Sequence, residues 1–190
     1  MKRLAVYCGS SMGAEPVFAD AARDLAIAMA QQGVDLVYGG GRLGLMGVVA
    51  DAVLSNGGEA YGVIPQALID LEVAHAGLTE LHVVTSMHER KAKMTELTDA
   101  FVALPGGIGT YDELFEAWTW NALGYHAKPF GLLNVSGFWD EMIAFLDTAA
   151  ARGFMSPARR SQLLVADGVE GAVDALASAC ASAGERRMTW

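Results

Sequence analysis

The amino-acid sequence predicts an α/β fold of three layers, with a mostly parallel β-sheet between two layers of helices. Short runs rich in β-branched and aromatic residues alternate with longer segments of helical periodicity along the 190-residue chain. Strands separated by helices of this length imply right-handed crossovers, which produce a parallel sheet. Runs such as "LAVYC" and "FVALP" are apolar throughout, as strands covered on both faces should be.

This alternation defines seven strands and six helices. The predicted strands are Leu4–Cys8, Asp35–Tyr38, Ala60–Ile64, Leu81–Thr85, Ala100–Leu104, Phe130–Asn134 and Leu163–Ala166. The predicted helices are Pro16–Gln32, Gly44–Asn56, His88–Leu97, Asp112–Leu123, Trp139–Arg152 and Val169–Ala181. Because no long linker rich in Pro, Ser or Gly divides them, we expect residues 1–183 to form one domain and residues 184–190 to be a flexible tail.

The composition argues against several kinds of partner. The chain is 53% hydrophobic with a formal net charge of -9, so it can bury a large core and carries no basic block. We therefore expect it to bind neither nucleic acid nor an anionic membrane. No segment approaches the roughly 20 apolar residues that a membrane-spanning helix needs. A small anionic ligand still fits this charge, because the electric field inside a pocket is local.

Candidate metal and thiol ligands are few and scattered. Cys8 and Cys180 are the only cysteines and lie far apart, which fits neither a disulfide framework nor a zinc site and favours a reduced, cytoplasmic location. The four histidines show no ligand spacing, so we expect no metal and no cofactor. Cys8 could be a nucleophile, but a cysteine in a first strand is more often a small buried filler.

Ligands of parallel sheets bind beyond the carboxyl ends of the strands, and several segments that leave those ends are rich in glycine or serine. One of them, "YGGGRLGLMG", contains Gly39-x-Gly41-x-x-Gly44, formally a dinucleotide fingerprint. This motif follows the second strand rather than the first. The acid that should hold a ribose, Glu59, lies at the start of the third strand and so at the wrong edge of the sheet. The glycines could instead serve only a tight turn, or their N–H groups could face a phosphate. A Walker-type sequence is absent.

The segment "PGGIGTYDE" is more specific. Its three glycines let the backbone fold around an anion, and we expect Thr110 to cap a helix that begins at Asp112, where the helix dipole favours negative charge. Thr110-x-x-Glu113 is also a capping box, in which Glu113 would bond only to the backbone. Glutamine completes a capping box as well, so Glu113→Gln separates a structural glutamate from a chemical one.

The segment "SMHERKAKM" places three cations at the start of a helix. Such a run is usually a solvated face with local ion pairs. Cations in a first helical turn oppose the helix dipole, however, so Arg90 could be held there for a ligand phosphate. Lys91 and Lys93 could in principle form a Schiff base with pyridoxal phosphate, but nothing else in the chain fits that cofactor.

The helix "YDELFEAWTWNALGYH" is apolar on more than one side. A helix of this kind is buried on two sides. Its second side is therefore either internal to the domain or part of a subunit interface, and the sequence leaves both open.

Taken together, these motifs resemble the LOG (Lonely Guy) family of cytokinin-activating phosphoribohydrolases, whose members were long labelled lysine decarboxylases. The likeness runs from about Leu4 to about Gly168. It rests on P-G-G-x-G-T-x-x-E in "PGGIGTYDE" and M-x-x-R-K in "MHERK", with "CGSS", "YGGGRLGLMG" and "GLLN". The resemblance argues against decarboxylation of lysine.

The resemblance implies a Rossmann-like fold, a homodimer or larger homo-oligomer, and an active site near the subunit interface. It implies hydrolysis of an N6-substituted adenosine 5'-monophosphate to the free base and ribose 5-phosphate, with Arg90 and Glu113 as the catalytic residues. The substrate contacts that it implies are Glu72, Lys91, Gly107, Ile108, Gly109, Thr110, Tyr111, Asp112 and Thr119. Two alternatives stay open: an AMP nucleosidase, and a carrier of a nucleotide or of molybdenum cofactor.

Overall fold

Strands and helices alternate through residues 1–69 and 74–187, which this computed structural model describes, with side chains described as far as residue 183. The strands are β1 (Arg3–Tyr7), β2 (Asp35–Tyr38), β3 (Ala60–Pro65), β4 (Glu80–Val84), β5 (Ala100–Ala103), β6 (Phe130–Leu133) and β7 (Leu163–Ala166). The α-helices are α1 (Pro16–Gln31), α2 (Gly44–Ser55), α3 (Gln66–Ile69), α4 (Met87–Leu97), α5 (Ile108–Ala122), α6 (Asp140–Ala151), α7 (Pro157–Arg160) and α8 (Val169–Arg187). A short 3₁₀ helix, Val135–Gly137, follows β6.

All seven strands belong to one parallel sheet, in the order β4-β3-β2-β1-β5-β6-β7. The predicted α/β fold class is thus confirmed. The chain builds outward from β1 to β4 and then returns to the other side of β1 with β5. The gap between the carboxyl ends of β1 and β5 is therefore the topological switch point, where open α/β sheets bind their ligands.

The central strands are apolar throughout because helices cover both faces of the sheet. In β1, Leu4 and Val6 belong to one apolar cluster, whereas Ala5 and Tyr7 belong to the other. The first cluster includes residues of α1, α2 and α8, and the second includes residues of α4, α5 and α6. Each central strand is thereby locked in register from two sides, which fixes where its loops emerge.

The predicted strands match the observed ones to within one residue at each end. Two helix boundaries were wrong: α5 begins at Ile108 rather than Asp112, and α8 runs to Arg187 rather than Ala181. The short helices α3 and α7 were not predicted, because four residues are too few to show a helical period. The division into a single domain and a flexible tail stays a prediction.

Among residues 1–69 and 74–187, no helix is both long and apolar enough to cross a membrane. Within the same residues, no cluster of three or more His, Cys, Asp or Glu side chains is placed to hold a metal ion.

Candidate active site

Three glycine- or serine-rich loops pack directly on one another at the switch point. Gly9 donates its N–H to the carbonyl of Pro105 at 3.1 Å, and Leu45 donates to the carbonyl of Gly9 at 3.0 Å. A Cβ on Gly106 would lie 2.1 Å from Thr110 Oγ1, and one on Gly44 would lie 2.2 Å from the backbone of Ser10. Glycine is therefore required by close packing at these positions, whatever the loops bind.

Helix α5 begins inside the glycine-rich motif, and this corrects two expectations. Its N-cap is Gly107, so Thr110 is the third helical residue and is buried, not the cap. Glu113 then lies in the second turn, and Thr110-x-x-Glu113 cannot be a capping box. Glycines lower helix propensity, so the sequence suggests too late a start, and packing against the neighbouring loops overrides it.

The first turn of α5 has no side-chain cap. Gly107 offers no side-chain acceptor, and among the described residues no other side chain bonds to the N–H groups of Ile108, Gly109 or Thr110. Ile108 is 84% exposed, and Gly107 and Gly109 are also exposed. The positive end of the helix dipole thus opens to the outside, as an anion site requires.

Helix α4 begins at the same edge of the sheet but has a side-chain cap. Ser86 Oγ accepts from the N–H of Glu89 at 3.1 Å. The Glu89 carboxylate in turn accepts from both the N–H and the hydroxyl of Thr85 at 2.7 Å. These hydrogen bonds lower the pKa of Glu89. Ser86 therefore caps α4, with the Glu89 carboxylate bonded to the residue before the cap, whereas Thr110 does not cap α5.

Arg90 lies in this region, 6% exposed, and is held by backbone carbonyls. Its Nε donates to the carbonyl of Val63 at 3.0 Å and its Nη2 to that of Gly39 at 2.9 Å. Nη1 lies 3.7 Å from the sulfur of Met87. Within the described residues no carboxylate forms an ion pair with Arg90, and its guanidinium bonds to backbone carbonyls instead.

The glycine motif after β2 serves this arginine. A Cβ on Gly39 would lie 1.8 Å from Nη2 of Arg90. Gly41 forms an isolated bridge to Ala74, and Gly44 packs against the loop after β1. The three glycines of the formal dinucleotide fingerprint thus each have a packing role, which favours the interpretation of this motif as a structural turn.

The charges of Arg90 and Glu113 converge on Tyr7, at the carboxyl end of β1. Burial raises the pKa of Tyr7 well above its ordinary value of 10. The carboxylates of Glu113, Glu116 and Asp112 raise this pKa further, whereas Arg90 lowers it. Coulombic effects fall with distance, so the charges of these groups act on the Tyr7 hydroxyl at the carboxyl end of β1. Nothing in the sequence pattern marks Tyr7, which belongs to an ordinary apolar strand.

Cys8 is buried, and its environment suppresses thiolate chemistry. Burial raises the pKa of its thiol, and the Glu113 carboxylate raises it further. A nucleophilic cysteine needs a lowered pKa, so Cys8 is a core filler, as its position in the first strand suggested.

The lysines after Arg90 are bound to carboxylates of their own chain. Lys91 Nζ lies 3.0 Å from Asp112 and 2.6 Å from Glu116. Burial lowers the pKa of Lys91, but the hydrogen bonds and charges of these two carboxylates outweigh it, so the net pKa is raised. Lys93 pairs with Glu96 at 3.1 Å. A Schiff base needs a neutral amine, so neither lysine suits that role.

The remaining predicted contacts lie apart. Tyr111 is half-buried and packs edge-on against Trp139, with ring centroids 5.7 Å apart. Thr119 is exposed on the outer side of α5 and donates its hydroxyl to the carbonyl of Phe115 at 2.7 Å. It is twelve residues from Gly107, about 18 Å along the helix, so the structure does not bring it to the loops. Glu72 lies outside the described residues.

The chain was compared with protein families and known proteins. A family model described as "Possible lysine decarboxylase" matches residues 46–176. The cytokinin riboside 5'-monophosphate phosphoribohydrolase of Rhodococcoides fascians is 47% identical over 93% of this chain and 90% of that protein. The cytokinin riboside 5'-monophosphate phosphoribohydrolase LOG of Oryza sativa subsp. japonica is 47% identical over 87% of this chain and 68% of that protein.

Among solved structures, the Moco carrier protein of Chlamydomonas reinhardtii superimposes with a TM-score of 0.71, covering 95% of this chain and 98% of that chain. At 21% identity this likeness shows the shared fold alone. The family model covers residues 46–176, which include "MHERK" and "PGGIGTYDE", and the two relatives match 93% and 87% of this chain. The chain therefore belongs to the LOG family, whose family model carries the lysine decarboxylase description.

Proposed function

We propose that the protein hydrolyses the N-glycosidic bond of N6-substituted adenosine 5'-monophosphates, the cytokinin nucleotides, and releases the free base and ribose 5-phosphate. The names of relatives that share 47% of its residues describe this activity. The observation that carries the proposal is geometric: the exposed first turn of α5 has no side-chain cap, and α5 is joined to the helix of Arg90 by the pairing of Lys91 with Asp112 and Glu116, which lie on either side of Glu113 in the sequence.

The phosphate binds at the first turn of α5. There the N–H groups of Ile108, Gly109 and Thr110 and the helix dipole favour an anion, and two of these residues are exposed. Glu113 lies four residues after Gly109, about 6 Å along the helix. This separation lets the carboxylate face the ribose without repelling the phosphate.

Glu113 and Arg90 act on opposite charges of the transition state. As the bond between C1' and the purine nitrogen breaks, its electron pair leaves with the base, and positive charge develops on the ribose. A carboxylate beside C1' stabilises that cation and polarises the water that adds to C1'. The base takes up one proton as it departs, and the water balances it in the net reaction by losing one proton as its oxygen bonds to C1'. Arg90 does not donate this proton, because a guanidinium does not release its proton in proteins. Arg90 instead orients the phosphate or ribose and offsets negative charge.

The active protein is a homodimer or larger homo-oligomer located in the cytoplasm. Thr119, a substrate contact in the family resemblance, lies about 18 Å along α5 from Gly107, and we assign it to the site of the neighbouring subunit. It faces a groove of about 500 Å³ on the outer side of α5. The residues lining this groove are Ile108, Tyr111, Asp112, Phe115, Glu116, Thr119 and Trp120. The free thiols of Cys8 and Cys180 support the location.

The test is incubation of the purified protein with isopentenyl-AMP, AMP, isopentenyladenosine and CMP, followed by chromatography of the free bases. We expect base release from isopentenyl-AMP and none from the nucleoside, since the phosphate holds the substrate. Faster cleavage of AMP would favour an AMP nucleosidase. Binding of nucleotides without release of any base would contradict hydrolysis and favour a carrier.

Glu113→Gln should abolish base release, because it removes the charge that stabilises the ribose cation and keeps the shape of the side chain. A preorganised charge of this kind is worth about 2.7–4 kcal/mol, or a rate loss of about 10²–10³. The melting temperature should stay close to that of the wild type. Glu141→Gln, an exposed change in the first turn of α6, is the matched control. A Glu113→Gln protein that retained full activity would remove Glu113 from the mechanism.

A further inference from the structure

Lys91 follows Arg90 in α4, but the two side chains engage different parts of the molecule. Arg90 bonds to carbonyls of the loop after β2 and of β3. The Lys91 ammonium lies between Asp112 and Glu116 of α5, 3.0 and 2.6 Å from their carboxylate oxygens. Its side chain is only 12% exposed. The three donors of the ammonium are thus largely occupied within the chain.

The two carboxylates that bind Lys91 flank the catalytic glutamate in sequence. Asp112 and Glu116 are four residues apart and therefore lie on one face of α5. Glu113 is next to Asp112 on the same turn. The pairing of Lys91 with both carboxylates consequently fixes the rotation of this turn about the helix axis relative to α4.

The two helices rest on different parts of the sheet. Helix α4 packs chiefly on β3 and also contacts β1, β2 and β4, whereas α5 packs on β5, β1 and β6. Besides the Lys91 ion pairs, the described contacts between α4 and α5 include the edge-on packing of His88 against Trp120, with ring centroids 6.0 Å apart. His88 and Trp120 lie farther from Glu113 in sequence than Asp112 and Glu116 do. The ion pairs of Lys91 with Asp112 and Glu116 therefore join α4 to α5 beside Arg90 and Glu113 in the sequence.

We propose that Lys91 is a positioning residue, which holds the helix of Arg90 and the helix of Glu113 at the separation that one nucleotide requires and does not itself contact the substrate. The proposal rests on the proposed function and deepens it. It replaces the expectation, drawn from the family motif, that Lys91 binds the substrate. A charge bridge suits this role because it fixes both distance and rotation, whereas an apolar contact between the helices would fix neither as tightly.

A positioning role and a binding role differ in the kinetic constant that they change. Loss of a phosphate contact weakens binding and raises KM. Loss of the ion pairs between Lys91 and α5 leaves the phosphate site at the first turn of α5 intact and displaces Glu113 from the ribose. A misplacement of about 1 Å costs rate by up to about 10²-fold. We therefore expect Lys91→Met to lower kcat about 10- to 100-fold on isopentenyl-AMP, with KM within about threefold of the wild type.

The partner carboxylates supply the second measurement. Glu116→Gln should lower kcat in the same way as Lys91→Met, and the double variant should be no worse than the Lys91→Met single variant, since both remove one bridge. Lys91→Arg, which can reach both carboxylates, should recover most of the activity. Lys93→Met removes an ion pair inside α4 and is the matched control, expected to match the wild type. Glu116→Gln also tests the bridge if Lys91→Met does not fold.

The outcomes separate this proposal from the function on which it rests. An inactive wild-type protein would overturn both the proposed function and the positioning role of Lys91. If the wild type is active and Lys91→Met raises KM without changing kcat, only the positioning role is overturned, and Lys91 is again a substrate contact. Additive losses of kcat in the double variant would also overturn it, because independent groups would then be at work.

Discussion

Helices α4 and α5 begin at the same edge of the sheet, yet their first turns are built in opposite ways. In the first turn of α4, the hydroxyl oxygen of Ser86 accepts a hydrogen bond from the N–H of Glu89, and the Glu89 carboxylate accepts one from the N–H of Thr85. The first turn of α5 begins at Gly107, which offers no side chain. Capping residues stabilise a helix and occupy the groups that could bind an anion. The lack of a side-chain cap at α5 therefore supports the proposed phosphate site, and the capped α4 carries Arg90.

The contrast also separates two identical sequence patterns. Ser86-x-x-Glu89 and Thr110-x-x-Glu113 both fit a capping box, but only the first begins where its strand has just ended. Three glycines stand between β5 and Glu113, and the backbone uses two of them to begin α5 early. The glutamate is thereby moved from the helix end, where it would compete with a phosphate, to the second turn.

The largest expected effect is that of Arg90→Ala, which removes the positive charge held by α4. Base release should fall by about 10²–10³, as for other preorganised charges. The burial of Arg90 also predicts a lower melting temperature, since two buried carbonyls lose their donor at a cost of about 1–3 kcal/mol each.

Activity and thermal unfolding measured on Arg90→Ala beside the exposed control Arg23→Ala would check both effects. If Arg90 lay on a solvated helical face, as such a run of charges usually does, Arg90→Ala would leave the melting temperature unchanged. An unchanged rate would show that α4 contributes no charge to the reaction.

Gly107→Asp should make α5 resemble α4. The backbone at Gly107 has a φ of -103°, and a Cβ there meets nothing within 4 Å, so aspartate can cap the helix. Its carboxylate would occupy the anion site, and KM for isopentenyl-AMP should rise more than tenfold, since hydrogen bonds to charged groups contribute about 1.5–3 kcal/mol. Steady-state kinetics provide the measurement.

Gly107→Asn is the control for that change, because it caps without a charge and should raise KM less. An unchanged KM in Gly107→Asp would place the phosphate elsewhere.

Gly109→Ala should separate stability from binding within the first turn of α5. A Cβ there meets nothing within 4 Å, and alanine favours a helix over glycine by about 1 kcal/mol. The melting temperature should rise by about 2–4 °C, while KM rises severalfold because the methyl group stands where the phosphate approaches. Gly171→Ala in α8, equally unobstructed, should raise the melting temperature alone. Equal KM values in the two variants would contradict the phosphate site.

The smallest effect is expected at the capped helix. Ser86→Ala should cost about 1 kcal/mol of unfolding free energy, measured by denaturant titration, with kcat and KM within twofold of the wild type. Ser156→Ala, which removes the cap of the distant helix α7, should show the same loss. A rise in KM as large as that of Gly107→Asp would mean that α4, and not α5, holds the phosphate.

Much of this architecture is predictable because its signals are local. The strands are predictable from short apolar runs between turn residues, and a buried Cys8 from its place in the first strand. The start of α5 is not, because the packing of Gly106 on Thr110 and Gly9 overrides the low helix propensity of glycine. The hydrogen bonds of Arg90 to the carbonyls of Gly39 and Val63 are not predictable either, because these residues lie 51 and 27 positions away in the sequence.

The site itself divides in the same way. The motif residues Arg90 and Glu113 stand out as charges in glycine-rich surroundings, and their roles stay predictions that the variants above test. The ion pairs of Lys91 with Asp112 and Glu116 join two segments more than twenty residues apart. Their partners depend on how α4 and α5 rest on the sheet, so the sequence offers no signal for them.

The contact between Gly39 and Arg90 also provides a way to sort relatives of this protein. Any side chain at position 39 would have to displace the guanidinium that sits 1.8 Å from the site of its Cβ. A related sequence that carries a larger residue there cannot hold its arginine in the same place, even if the arginine is present. With the role proposed for Arg90, we expect a relative that carries a larger residue at position 39 to have lost base release, which an assay of such a relative would check.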